Sequence, residues 1–190
     1  MTKSTFISAV TAAVLSISAG AAFAESHAAA NPMVGGAEMF ADKNIVENAV
    51  NSADHTTLVA AVTAAGLVDT LAGEGPFTVF APTNSAFAKL DQAQVAELLK
   101  PESKAALTEI LTCHVVGKGV MSDALGGMIN DDGGEHPVPT LGGCTLMAKY
   151  NGDMITLTDE RGQVANITIA DVKQSNGVIH VIDTVMLPAE

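Results

Sequence analysis

A buried strand that ends at a proline and turns at once into a capped helix leaves a chain few ways to fold. Residues 75–90 read Gly-Pro-Phe-Thr-Val-Phe-Ala-Pro-Thr-Asn-Ser-Ala-Phe-Ala-Lys-Leu. Gly75 and Pro76 stop whatever precedes them. Phe77 to Ala81 is an apolar and β-branched run, predicted to be a short strand buried on both faces. Pro82 has no N–H to give to a ladder and is expected to end the strand. Thr83 or Asn84 is then expected to cap a helix whose first inward residue is Phe87. Phe77, Phe80 and Phe87 are therefore candidate core residues, and the rest of the chain is expected to fold around them.

The 190 residues are 48% hydrophobic and 16% charged, which suits one domain with a sizeable core and argues against disorder. There is no Trp and a single Tyr, Tyr150, so that core must be Val, Ile, Leu, Ala and Met. The formal charge of -12 repels phosphate backbones and anionic lipid, which makes nucleic acid a poor partner. Residues 1–24 read as a signal peptide: Lys3 precedes an apolar, small-residue run, and Ala22-Phe23-Ala24 fits the small-x-small cleavage rule. Ser and Thr interrupt that run and no stop-transfer charges follow it, so a transmembrane anchor is the weaker reading. Cleavage after Ala24 removes Lys3 and no acid, leaving a net charge of -13. The product is expected to be exported, secreted or periplasmic, without stable membrane insertion.

Residues 25–43 have no sustained period and read as an extended arm, with Met33, Met39 and Phe40 as apolar footholds. A short helix is predicted over 44–50. A second is capped by Thr56 or Thr57, buries Leu58, Ala61, Val62 and Ala65, and stops at Gly66. Two more cover 92–99 and 101–112, the latter opened by Pro101. Residues 117–143 are Gly-rich and acidic and read as loop, with a turn of helix at 122–125. Strands follow: 144–150 and 154–158 around Asn151-Gly152, a strong hairpin signal, then a third through Ala165, Ile167 and Ile169. Residues 178–187 are apolar on both faces and read as a central strand with Val181 in the core. Helices in the first half and strands in the second give an α+β fold.

Three segments resemble the signatures of the fasciclin domain. Thr78-Val-Phe-Ala-Pro-Thr-Asn-Ser-Ala-Phe87 is similar to its first signature and Asn176-Gly-Val-Ile-His-Val-Ile-Asp-Thr-Val-Met-Leu-Pro188 to its second. Between them, Ile110-Leu-Thr-Cys-His-Val-Val116 is similar to the family's helix end and Tyr-His pair, with Cys113 in place of the Tyr. The resemblance spans about residues 44–188 and implies one β-sandwich or wedge with helices packed on one side. It also implies adhesion or recognition rather than catalysis. The segment through which animal members engage integrins falls on Ile169-Ala-Asp-Val-Lys173, where only Asp171 matches and Val172 comes near. Integrin binding is therefore not carried over, and Asp171 is kept as a candidate for some other contact.

The common catalytic motifs are absent: no G-x-S-x-G, H-E-x-x-H, Walker loop or complete G-x-G-x-x-G. No His has a His or Cys three or four residues after it, and Asn130-Asp-Asp-Gly133 lacks the alternating oxygens of a calcium loop. No metal or cofactor is expected. His114 and His180 lie in the matching motifs. They are candidates either to line a partner site or to serve as core histidines bonded to backbone, and the second reading is preferred. Asn166-Ile-Thr168 is a glycosylation sequon by pattern. The chain holds two cysteines, Cys113 and Cys144. In an oxidising compartment they are expected to form a disulfide, and the other reading is two buried thiols.

The expected function is an exported, non-catalytic interaction module binding a surface or matrix protein or a polysaccharide. The rival is a metal-binding or hydrolytic protein using His114, His136, Asp131 and Asp132 on the Gly-rich loop.

Overall fold

The computed structural model describes residues 31–189, so the signal segment and the start of the arm lie outside the described residues. In chain order the elements are β1 (Met33–Val34), β2 (Ala37–Glu38), α1 (Ile45–Ala49), α2 (Thr56–Ala65), α3 (Val68–Ala72), β3 (Phe77–Pro82), α4 (Asn84–Ala88), α5 (Gln92–Leu98), α6 (Lys104–Thr112) and β4 (Val115–Val116). Then come α7 (Ser122–Asp131), β5 (Glu135–Pro139), β6 (Thr145–Asn151), β7 (Met154–Thr158), β8 (Val164–Gln174) and β9 (Gly177–Ile182). The fold is α+β, with one seven-stranded sheet ordered β4-β3-β9-β8-β7-β6-β5.

The sheet is built around a parallel pair. β3 and β9 run side by side in register from Phe77↔Gly177 to Pro82↔Ile182. Their alternate side chains feed two cores. Val79, Ala81, Ile179 and Val181 face the core shared with α1, α2, α3, α4 and α6. Phe80 and Ile182 face the other way, into a core lined by Leu146, Leu157, Ala165 and Ile167 of the curled sheet. Parallel strands are normally covered on both faces, which is why both read as unbroken apolar runs.

β3 ends at Pro82, which is its last residue and still pairs with Ile182. The N–H of Phe80 points toward β4, where it donates to the His114 carbonyl at 2.9 Å. The nitrogen of Pro82, two residues on, faces the same side beyond the end of β4, so no ladder bond is lost there. Thr83 caps α4, its hydroxyl accepting from the Ala86 N–H at 3.2 Å. Asn84 serves a different helix: its Oδ1 accepts from the Thr57 N–H at 2.9 Å at the start of α2. The expected cap of α2 by its own threonines is thus replaced by a side chain from across the fold. Phe80 is 1% exposed and Phe87 is buried, but Phe77 is only half-buried. It opens β3 at the margin of the helix-side core, so its place among the fully buried residues is corrected.

Two stretches hold more structure than their sequence suggested. In the arm, β1 and β2 pair as a hairpin through Gly35-Gly36, both at positive φ, and Met39 is 2% exposed. In the Gly-rich stretch, α7 is a ten-residue helix whose Leu125 and Ile129 plug the curled sheet, so one helix packs away from the others. Gly126 lets the Tyr150 hydroxyl lie directly against it, and a Cβ there would push the tip of that side chain aside. β5 carries Pro137 and Pro139 because it is an edge strand, and residues two apart turn the same side of the backbone outward. The β6–β7 hairpin forms one residue later than expected: Asn151 pairs with Met154, and the two loop residues are Gly152 and Asp153.

The sheet curls until its edges meet. Leu141 N–H, just past β5, donates to the Val115 carbonyl of β4 at 2.7 Å, and Gly142 N–H donates to the Thr112 carbonyl at 3.0 Å. Cys113 and Cys144 are joined by a disulfide across this seam, with their Cα atoms 5.3 Å apart.

Truncating Phe80 to Ala is expected to cost about 3–5 kcal/mol, as emptying a full aromatic core site does. Phe77→Ala is expected to cost distinctly less. Urea unfolding of both variants checks this, and equal losses would contradict a core centred on the inner face of β3.

Candidate functional site

Asp171, His180 and the start of α7 form one assembly. β8 is irregular between Ile169 and Val172, and Asp171 sits in this irregularity at φ 61°, a left-handed conformation that Asp tolerates better than most residues. The irregularity aims its carboxylate at the N-terminus of α7. Oδ1 accepts from the Ser122 N–H at 2.7 Å, and Oδ2 accepts from the Ser122 hydroxyl. A carboxylate is well placed against the positive end of a helix, and here it supplies the cap that Met121, preceding the helix, cannot.

His180 holds the same segment from the other side. Its Nδ1 accepts from the Asp171 N–H at 3.2 Å, so the proton is on Nε2, which donates to the Val120 carbonyl at 2.9 Å. The ring stacks on Phe80, its direct neighbour across β3 and β9, with centroids 5.7 Å apart. Thr78 adds a third tie: its hydroxyl donates to the Lys118 carbonyl at 2.6 Å and accepts from the Val120 N–H at 2.8 Å.

His114 lies elsewhere, buried at the end of α6. Its Nδ1 donates to the Ile110 carbonyl at 2.7 Å and its Nε2 accepts from the Met186 N–H at 2.9 Å. The two histidines thus hold opposite tautomers, and each has both ring nitrogens occupied by backbone. Burial drives the pKa of His114 down to about 4, against the pull of the Ile110 carbonyl and the Asp159 carboxylate. Burial also lowers His180, opposed by the Val120 carbonyl and Asp171. Both rings are buried, and their nitrogens are held by backbone groups.

The four residues of the metal or hydrolytic reading do not assemble. Asp131 ends α7, and Asp132 follows it and meets His136 Nδ1 at 2.6 Å on the surface. His114 shares no contact with that pair and is tied to Ile110 and Met186 instead. Among the described residues no group of three or more His, Cys, Asp or Glu side chains is placed to hold a metal ion. The Ser122 hydroxyl donates to the Asp171 carboxylate as part of the α7 cap.

Sequence reasoning missed the surface beside this assembly. A shallow depression of about 310 Å³ is lined by Asp123, Tyr150, Asp153, Met154, Ile167 and Thr168, among others. Tyr150 and Met154 are 43% and 49% exposed on adjacent strands. The one available signal was that the lone Tyr of the chain flanks a hairpin turn. The sequon residue Asn166 lies nearby on β8, with its side-chain amide donating to Asp183 at 2.8 Å.

Comparison with known proteins addresses the family directly. The family model of the fasciclin domain matches residues 53–188. The chain belongs to the fasciclin family. This fasciclin chain is 45% identical over 149 residues to protein sll1483 of Synechocystis sp., covering 76% of this chain and 73% of that protein. It is 34% identical over 169 residues to the immunogenic protein MPB70 of Mycobacterium bovis, covering 85% and 78%. A solved FAS1 domain pair from the insect cell adhesion molecule Fasciclin I shares its fold at a TM-score of 0.69 and 18% identity, covering 76% of this chain and 51% of that one. In this fasciclin domain the motif histidines are framework groups, and Cys113 uses the position before His114 to close the sheet seam.

The histidines predict a pH dependence. Protonating His114 Nε2 would set one N–H against that of Met186, and protonating His180 Nδ1 would do the same with Asp171. Because the folded-state pKa of His114 lies near 4, below its ordinary 6.5, its contribution is complete above pH 6.5 and is lost as pH falls toward 4. From His114 alone that loss is about 3 kcal/mol. Urea unfolding at pH 7, 5.5 and 4.5 reads it; stability that stays flat over this window would contradict the assignment.

Proposed function

We propose that the protein is an exported, non-catalytic interaction module. It recognises a protein or polysaccharide at the cell surface, in the periplasm or in the matrix. The observation that carries this reading is the exposed patch of Tyr150 and Met154, bordered by Asp123 and Asp153. Tyr and Met are favoured at recognition surfaces because they offer large, adaptable apolar area. The patch lies on a rigid base, since β6 and β7 are hydrogen-bonded in register and α7 packs beneath Tyr150 at Gly126. The occupied ring nitrogens of His114 and His180 support a non-catalytic role, as does the cell adhesion molecule that shares the fold. Export is supported by the signal pattern of residues 1–24 and by a disulfide suited to an oxidising compartment. No described helix is long and apolar enough to cross a membrane.

The test uses protein recovered from the envelope and medium of its own host, where intact mass is expected to show a chain starting at Glu25. Immobilised, it is expected to retain a partner from the same fractions. The double substitution Tyr150→Ala and Met154→Glu should reduce that retention at least tenfold while leaving the melting temperature within a few degrees. Retention unchanged by the double substitution would remove the patch from the account. A product still carrying Lys3 would remove export.

A further inference from the structure

A feature that the Tyr150 patch leaves unexplained lies on the opposite side of β3 from α7. A cavity of about 140 Å³ sits between α1, α2, α3 and the sheet, lined by Ile45, Ala49, Leu58, Val62, Leu71 and Val79 among other apolar residues. Val50, which also lines it, is 54% exposed. Cavities of this kind are unusual in close-packed interiors, and an apolar one of about 150 Å³ stays dry and accepts a benzene-sized ring.

Four residues with polar side chains interrupt the apolar lining, Ser52, His55, Thr63 and His114, and of these only His55 keeps a buried ring nitrogen without a partner. His55 is 3% exposed and lines the cavity. Its Nδ1 is held by the Ser52 hydroxyl at 2.8 Å. Its Nε2 has no hydrogen-bond partner. The Ala81 carbonyl lies close enough to offset part of the desolvation, but it does not meet Nε2 in hydrogen-bond geometry. Burial lowers the pKa of His55, so the ring is neutral at neutral pH. A buried, unpaired ring nitrogen costs stability that a ligand could restore. The Ser52 hydroxyl can donate to Nδ1 or accept from it, so Nε2 is either donor or acceptor. A hydroxyl group, which does both, pairs with either tautomer.

We propose that this cavity is a binding site for a small apolar ring bearing one hydroxyl group, with the ring against α1, α2 and β3 and the hydroxyl on His55 Nε2. The site is separate from the Tyr150 patch and does not depend on it.

Phenol is the probe and benzene the control, titrated into the full exported protein and followed by backbone amide NMR. Saturable phenol shifts are expected at residues lining the cavity. Benzene should bind at least about fivefold more weakly, the factor of one net hydrogen bond. His55→Phe, which keeps a ring but removes the nitrogens, should abolish the preference for phenol. Ala49→Leu, which fills the cavity from α1, should abolish binding of both. Should His55→Phe fail to fold, the phenol-to-benzene ratio of the unaltered protein and the Ala49→Leu variant still decide. The proposal is overturned by phenol shifts that do not saturate, by equal affinity for the two probes, or by phenol binding that survives Ala49→Leu.

Discussion

The parallel pairing of β3 with β9 is the constraint on which the rest of this protein depends, and Asn176 holds it. The two strands lie a hundred residues apart in the chain, and their register begins at Phe77 opposite Gly177. Gly177 must be glycine, because a Cβ there would collide with the Phe77 backbone. The Asn176 carbonyl accepts from the Phe77 N–H at 3.0 Å and so starts the pair. Its side chain then secures the helices: Nδ2 donates to the Leu71 and Gly73 carbonyls, each at 2.8 Å, at the end of α3, and Oδ1 accepts from the Ile45 N–H at 3.0 Å at the start of α1. One amide therefore satisfies two helix ends and fixes them against the central strands.

From that pair the two halves of the fold diverge. One face carries the helices and leaves the cavity beside His55. The other curls the sheet around Phe80, Leu146 and Leu157 until its edges meet at the Cys113–Cys144 bridge. The bridge closes a loop of 31 residues, which constrains the unfolded chain by roughly 3–4 kcal/mol in the chain-entropy account. It also fixes a seam that backbone bonds from Leu141 and Gly142 secure only locally. α7 enters this curl with its N-terminus fixed by Asp171 and the loop before it held by His180 and Thr78. The Tyr150 patch is thus carried on a surface held in place from three strands.

The α+β class, the central position of the strand expected over 178–187 and the β6–β7 hairpin were legible because each rests on local pattern, although that strand, β9, already ends at Ile182. Apolar runs mark strands covered on both faces, and Asn151-Gly152 marks a turn to within a residue. What escaped reading depends on long-range partners. α7 was hidden by Gly126 and Gly127, whose low helix propensity is overridden by packing under Tyr150 and by a cap from Asp171, 49 residues away. β5 was hidden by its two prolines, which an edge strand tolerates. The arm hairpin was legible in principle, since Gly35-Gly36 is a turn pair, but its strands are only two residues long. At the site, the histidines could be placed in their motifs, and backbone partners could be expected for them. The cavity beside His55 and the patch at Tyr150 arise from packing between distant elements, which no local pattern encodes.

The most direct test of the central claim is the substitution Asn176→Ala, followed by urea unfolding and native-state hydrogen exchange. Removing the side chain strands the Leu71 and Gly73 carbonyls and the Ile45 N–H. Stability should fall by at least about 2 kcal/mol, with protection lost first in α1 and α3. A variant within about 0.5 kcal/mol of the unaltered protein, with α1 and α3 as protected as before, would contradict the account.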